Sequence, residues 1–236
     1  FRRVLFRSGM KVGLDKVVDV ARRAGIPENV EMVAAPSVSL GVASPHVIDL
    51  AASYATFAAQ GIYAKPFIIS EVKGANKGIL YQGKIQAQEV FNKDVMADLT
   101  YALQQVTISG TGAVVRGIMP NRPAAGKTGT SNDNASAWFN GYTPQMAASV
   151  SFYRDDATQT LNGIGGLTSV TGGSFPARIW ATFAASYLKN QPVADFPSPV
   201  NIGGTAPVDL RNSVPTLPLD SVLNTPTPTP SKSKKR

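Results

Sequence analysis

The chain has 236 residues, 43% of them hydrophobic, and a formal net charge of +8. That length suits one large domain or two small ones. No run of about 18 apolar residues offers a membrane span, and no apolar leader segment is visible. The absence of cysteine excludes disulfide scaffolds, thiolate metal sites and cysteine nucleophiles, and His46, the single histidine, leaves Ser-His-Asp chemistry one candidate base.

The positive charge sits at the ends. Arg2, Arg3 and Arg7 stand at the front, and Lys232, Lys234, Lys235 and Arg236 at the back. The remaining 16 basic residues face 15 acids, so the body is nearly neutral. A nucleic-acid-binding domain gathers its basic residues on a folded face, so no nucleic-acid partner is expected.

Phe1–Ser8 shows no cap, turn signal or clear period. It reads as a foreign or disordered start outside the fold. From Asp15, a candidate N-cap, Val17, Val20, Ala21 and Ala24 recur at helix spacing, and Gly25 ends the run. Ala35–Gly41 reads as an irregular extended connection. Ser44-Pro45 offers an N-cap and a first-turn proline for the next helix, with Val47, Leu50, Ala51, Tyr54, Phe57 and Ala58 as its apolar stripe. His46, in its first turn, has no local acid to orient it and reads as a surface or packing residue.

Ile62–Lys73 is strand-like, limited to an edge or irregular strand by Pro66, and residues 74–83 suggest a hairpin. Asn92 caps a helix in which Val95, Met96, Leu99, Ala102, Leu103 and Val106 repeat, ending at Ser109-Gly110-Thr111-Gly112. After Ala124 the period changes to two. Ala135–Tyr142 and the run from Met146 read as antiparallel strands, the second with Met146, Ala148, Val150 and Phe152 on one face. Residues 158–173 read as a flexible, Gly- and Thr-rich segment. Pro176 starts a last helix whose expected buried side holds Ile179, Trp180, Phe183, Ala184, Tyr187 and Leu188. Helices packed on an antiparallel sheet give an α+β plan. Residues 191–236 are expected to be a mostly disordered Pro/Thr-rich tail, with Thr225–Arg236 extended and polyproline-like.

One stretch looks like a site: Gly126-Lys127-Thr128-Gly129-Thr130. On a strand edge, Lys127 supplies a cation suited to a carboxylate, and Thr128 and Thr130 supply hydroxyls. Gly129 lets an extended ligand lie close, and edge N–H groups can bind a peptide as an added strand. Such an N–H can also serve an oxyanion hole, an effect worth about 3–4 kcal/mol of barrier. A phosphate-binding P-loop is the rival, but Asn121 stands where its first glycine belongs. The bland alternative is an exposed strand lysine flanked by threonines.

Several further segments occur in a telling order: Val12 to Val18; Ser39-Leu40-Gly41 with Ser44-Pro45; Ala51 to Ala58 with Gly61; Ser109 to Gly112; Ala125 to Thr130 with Asn132-Asp133-Asn134; Ala137 to Pro144; and Thr171-Gly172-Gly173. Together, from Gly13 through Leu188, they resemble the later part of the transpeptidase domain of class A penicillin-binding proteins. The resemblance implies a partial penicillin-binding/serine β-lactamase-like fold and a parent enzyme that joins peptidoglycan stem peptides by serine acyl transfer from D-Ala-D-Ala. β-Lactams would acylate the same serine. Lys127, Thr128, Gly129 and Thr130 match the family's K-T-G strand. They would hold the donor carboxylate, with the Thr130 N–H in the oxyanion hole and Thr111 and Gly112 as cleft support. Trp138 reads as packing. No cofactor or metal is implied.

The family's S-x-x-K and S-x-N motifs are not matched. No S-x-N occurs. S-x-x-K strings at Ser8/Lys11, Ser70/Lys73 and Ser231/Lys234 fall at the aberrant start, in a strand-like run and in the tail, whereas the motif needs a helix to place both side chains on one face. The expectation is a transpeptidase domain (residues 9–190) truncated on its N-terminal side. It would be inactive alone and derive from a parent that works at the extracytoplasmic face of the bacterial membrane, held there by an anchor outside this chain. The alternative is a non-catalytic module for cell-wall peptide binding or structure.

Overall fold

The computed structural model describes residues 2–156 and 158–203, and those up to Ile202 cluster as one unit. Among the described residues, six α-helices and seven strands run in the order α1 (Arg2–Val12), α2 (Leu14–Ala24), α3 (Val47–Ala58), β1 (Ile62–Ala64), β2 (Glu71–Lys73), β3 (Ile79–Gln82), β4 (Ala87–Glu89), α4 (Lys93–Ile108), α5 (Val114–Ile118), β5 (Ala125–Thr130), β6 (Ser136–Thr143), β7 (Met146–Tyr153) and α6 (Phe175–Tyr187). None of the described helices is long and apolar enough to cross a membrane. The α+β plan holds.

The centre is the antiparallel sheet β5-β6-β7. Its register pairs Lys127 with Asn140 and Asn140 with Ser149, and pairs Thr128 with Phe139 and Phe139 with Val150. Directly paired residues share a face, so the alternation read in Met146–Tyr153 sorts the sheet into two sides. One carries Ala137, Phe139, Gly141, Ala148 and Val150, and it meets α5 and α6. Trp180 of α6 is fully buried there, 5.4 Å from the Phe139 ring, and its Nε1–H donates to the Ala148 carbonyl at 3.1 Å. Gly141 makes room for it: a Cβ there would come within 3.0 Å of the indole. The other side carries Tyr142, Asn140 and Lys127 under α3 and α4. Tyr142 Oη and Thr100 Oγ1 share a hydrogen bond of 2.9 Å, and burial pushes the Tyr142 phenol up to about 12.

Several expectations need correction. Residues 2–12 form a helix that packs on the 3-10 turn Pro36–Leu40, where an unstructured start was expected. The run contains no proline, and its Gly9 closes on Ser39. The same turn replaces the extended connection expected at Ala35–Gly41, because Pro36 sits at its first position. Helix α2 is preceded by Gly13, and Asp15 lies in its first turn rather than at the cap. Helix α3 starts two residues later than Ser44-Pro45 suggested. Exposed His46 holds its N-cap position, and its backbone N–H donates to Asp49 Oδ2 at 2.9 Å.

The buried stripe of α6 is turned from the expected one. Pro176, Ala177, Trp180, Ala181, Ala184 and Leu188 face inward. Ile179, Phe183 and Tyr187 are exposed, the last two stacked on each other at 5.9 Å. Small residues win the inner face because the helix lies close to the sheet around Trp180. Residues 158–173 are not loose. Leu161 and Val170 are buried against Ala137, and their backbones are joined by the Val170 N–H donating to the Leu161 carbonyl at 3.0 Å.

The folded body also runs past the expected limit at 190. Arg122 donates to the carbonyls of Leu188, Gln191 and Pro192, and to Gln145 Oε1. Phe196 packs edge-on to Tyr142 at 5.4 Å. The Asp98 carboxylate accepts the N–H groups of Val200, Asn201 and Ile202 at 2.8–2.9 Å. Thr225–Arg236 and Ser231/Lys234 lie outside the described residues.

Two outcomes are expected. Trp180→Ala should cost about 3–5 kcal/mol in chemical denaturation, as buried aromatic truncations do, while Phe183→Ala costs about 1 kcal/mol or less. The reverse ranking would restore the stripe expected from sequence. The Asp98 carboxyl is held below its usual range, first by the Asn201 N–H, then by those of Ile202 and Val200. Its tether is at full strength above the ordinary carboxylate range and is lost as pH falls through the lowered value. The Asn201 and Ile202 amide resonances should therefore titrate below pH 3.8, and Asp98→Asn should abolish that titration.

Candidate active-site strand

Strand β5 is an edge of its sheet. The Ser131 N–H donates to the Ser136 carbonyl at 2.9 Å, one step beyond the paired Thr130 and Ala137. Antiparallel pairs alternate between bonded and non-bonded. Ser131, Gly129 and Lys127 are therefore bonded to β6, and the N–H and C=O groups of Thr128 and Thr130 point away from it, along the open edge. Lys127 Nζ in turn donates to the Thr128 carbonyl at 2.8 Å.

The side chains divide accordingly. Lys127 lies on the α3/α4 side in a polar row with Asn140 and Ser149. Asn140 Oδ1 and Ser149 Oγ are buried there without a hydrogen bond inside the chain. Lys127 is half-buried, and this desolvation lowers the ammonium pKa below its usual 10.5. Thr128 and Thr130 lie on the opposite side. Thr128 Oγ1 and Thr111 Oγ1 are 2.6 Å apart, and Thr130 Oγ1 accepts the Gly172 N–H at 3.1 Å. Gly129 has no side chain to hold off Trp138, which sits beside it and is only partly exposed.

The structure thus brings Thr111 to β5, as the sequence suggested. Gly112 supports the loop differently. It is buried, its N–H donates to the Val106 carbonyl at 2.9 Å, and a Cβ on it would come within 3.0 Å of the Phe139 ring. The turn after β5 places Asp133 and Asn134 at φ of 55° and 53°, a left-handed region that Asp and Asn tolerate best among side-chain-bearing residues. A cavity of about 390 Å³ opens at the other end of the strand, among Thr107, Val115, Met119, Arg122 and Ala124. It lies away from Thr128–Thr130.

The S-x-x-K strings are not gathered at β5. Ser8 and Lys11 are exposed in the second half of α1, which packs on α2 and the Pro36–Leu40 turn. Ser70 lies just before β2 in an exposed hairpin. A fourth string is Ser186/Lys189. It is exposed at the end of α6. Gly172 and Gly173 had no assigned role, yet both touch the threonine side of the strand. A glycine pair immediately before a helix with an early proline is a signal of close backbone approach.

A lysine behind an open strand edge, with two hydroxyls and two outward N–H groups in front, is a donor set complementary to a carboxylate and a carbonyl. Residues 9–162 match the family model of the penicillin-binding protein transpeptidase domain. The chain is 30% identical over 210 residues to penicillin-binding protein 1A of Mycolicibacterium smegmatis, covering 86% of this chain and 25% of that protein. It is 29% identical over 199 residues to penicillin-binding protein 2D of Bacillus subtilis, covering 82% and 27%. Among solved structures, PonA1 from Mycobacterium tuberculosis in complex with penicillin V superposes with a TM-score of 0.71 at 29% identity, over 81% of this chain and 54% of that one. Penicillin-binding protein 1A from Haemophilus influenzae shares the fold, with a TM-score of 0.73 at 20% identity over 84% and 34%. The chain belongs to the penicillin-binding protein transpeptidase domain family. It spans about a quarter of the length of these curated relatives.

Because burial disfavours the ammonium, Lys127 should give up its proton at lower pH than an exposed lysine. A 13Cε titration should place its midpoint below 10.5. A midpoint at or above that value would mean that a fixed anion offsets the desolvation.

Proposed function

We propose that this chain is the β5-bearing part of a serine DD-transpeptidase that cross-links peptidoglycan stem peptides, and that β5 forms one wall of its cleft. Lys127, Thr128 and Thr130 hold the terminal carboxylate of a D-Ala-D-Ala donor or of a β-lactam. Gly129 lets the donor backbone lie against the strand. The Thr130 N–H stabilises the oxyanion as the carbonyl is attacked. Thr111 orients the Thr128 hydroxyl. The observation that carries this reading is the register of β5, which turns the Thr128 and Thr130 backbone groups toward the open edge while their hydroxyls stand beside it. The penicillin V complex of PonA1 supports a β-lactam as ligand. We place the parent at the extracytoplasmic face of a bacterial membrane, as the resemblance to class A penicillin-binding proteins implies.

The chemistry assigned to β5 is binding and charge stabilisation, not attack. We assign the nucleophile and base to none of the S-x-x-K pairs among the described residues, since none of their elements packs onto β5 as α4 and β6 do. Incubation of this chain alone with a fluorescent penicillin should give no covalent adduct. An adduct on Ser8, Ser70 or Ser186 would overturn that assignment. In the full-length protein, Lys127→Ala and Thr130→Val should each slow acylation by about 10- to 100-fold, the range of a lost hydrogen bond to a charged group. Unchanged acylation in both would remove β5 from the site.

A further inference from the structure

We propose that Gly172 is a positioning residue: its N–H fixes the Thr130 hydroxyl so that its proton is presented to the ligand carboxylate. This rests on the carboxylate-binding reading of β5. Gly172 lies beyond the residues that match the family model, and no role follows for it from the K-T-G pattern.

A threonine hydroxyl has one proton and two acceptor sites. The Gly172 N–H occupies one of those sites at 3.1 Å. The hydroxyl proton must then point to some other acceptor, and the N–H polarises the O–H toward it. An anion on the open side of β5 is such an acceptor.

The Gly172 peptide is held firmly enough to do this. Its carbonyl accepts the Ala177 N–H at 3.1 Å, which ties it to the first turn of α6. The preceding turn is closed by Ser174 Oγ, which accepts the Thr171 N–H at 3.0 Å and donates to the Thr171 carbonyl at 2.7 Å. The site admits only glycine. A Cβ on Gly172 would fall 2.6 and 2.8 Å from the Gly129 carbonyl oxygen and nitrogen, and closer still to the Trp138 carbonyl oxygen. All three are backbone atoms of paired strands and cannot yield. A Cβ on Gly173 would likewise press on the Thr111 carbonyl oxygen and come 3.9 Å from Thr128 Cγ2. The two glycines thus form a wedge between the Thr111 loop and β5, adjoining both hydroxyl-bearing residues of the strand.

The test uses the full-length protein and a ligand pair that differs only in the carboxylate: a penicillin and its methyl ester. The quantity read is the preference for acid over ester in the second-order acylation constant. Thr130→Val should cut that preference about tenfold or more, and Thr130→Ser should retain it. Gly172→Ala should cut it as Thr130→Val does, and the double variant should be no worse than Thr130→Val alone. If Gly172→Ala does not fold, replacing Gly172 by glycolic acid removes the N–H without adding an atom and carries the same expectation. A Gly172 variant that slows acid and ester equally, or that keeps the preference while Thr130→Val loses it, overturns the positioning role alone. A preference unchanged by Thr130→Val overturns the carboxylate reading with it.

Discussion

Close backbone approach along β5 is the constraint on which the rest of the molecule depends. Gly126, Gly141 and Gly172 each stand where a Cβ would press on paired backbone, on an aromatic ring or on both. Removing those side chains lets three layers close on one another. Trp180 reaches the sheet at Gly141, and the loop before α6 reaches β5 at Gly129. Helix α6 is then tied to the strand region at both ends. Its N-terminal end is joined through Gly172 to Thr130, and its C-terminal carbonyls are held by Arg122, three residues before β5 begins. A helix fixed at two points sets the pitch of the strand beneath it. That is the kind of rigid support a binding edge needs, because binding groups must be held to within about 0.5 Å of productive geometry.

The electrostatics follow from the same packing. Lys127 cannot swing freely into solvent, since half of it is buried on the α3/α4 side. Its ammonium folds back to the Thr128 carbonyl at the strand edge. The cation therefore stands behind the edge and the hydroxyls in front of it. A desolvated lysine attracts an anion more strongly than an exposed one because less water screens the pair. The threonines add direction. One hydroxyl is set by Gly172 and the other is shared with Thr111.

Local features were the ones legible in the sequence. The two-residue period of Met146–Tyr153 gave the correct faces of β7, the Asn92 cap gave the start of α4, and the K-T-G-T run gave β5, because each is set by neighbours within a few residues. What the sequence hid is long-range. The strap at residues 191–202 has the prolines of an unfolded tail, yet its anchors are Arg122, Tyr142 and Asp98, distant in the chain. The α6 stripe is hard to read because large apolar residues usually mark the inner face. Here Phe183 and Tyr187 stack outside, while alanines meet the sheet. In the site itself, Lys127, Thr128 and Thr130 were visible as chemistry-bearing residues. Gly172 was not, since a glycine's contribution is the contact it permits.

An open strand edge is ordinarily a hazard, because its unpaired N–H and C=O groups invite another strand. Strand β5 limits that hazard without giving up the edge. It is only six residues long and contains no large apolar side chain. Its Thr128 carbonyl is already taken by Lys127, and the Gly172-Gly173 loop crowds the threonine side. At Thr128 and Thr130 the edge then offers two N–H donors and one carbonyl rather than a full ladder. A second strand would find few acceptors there. In the proposed reading, a ligand ending in a carboxylate finds the donors it needs. In that reading, the features that make β5 a poor template for aggregation are the same ones that select a short anionic peptide end.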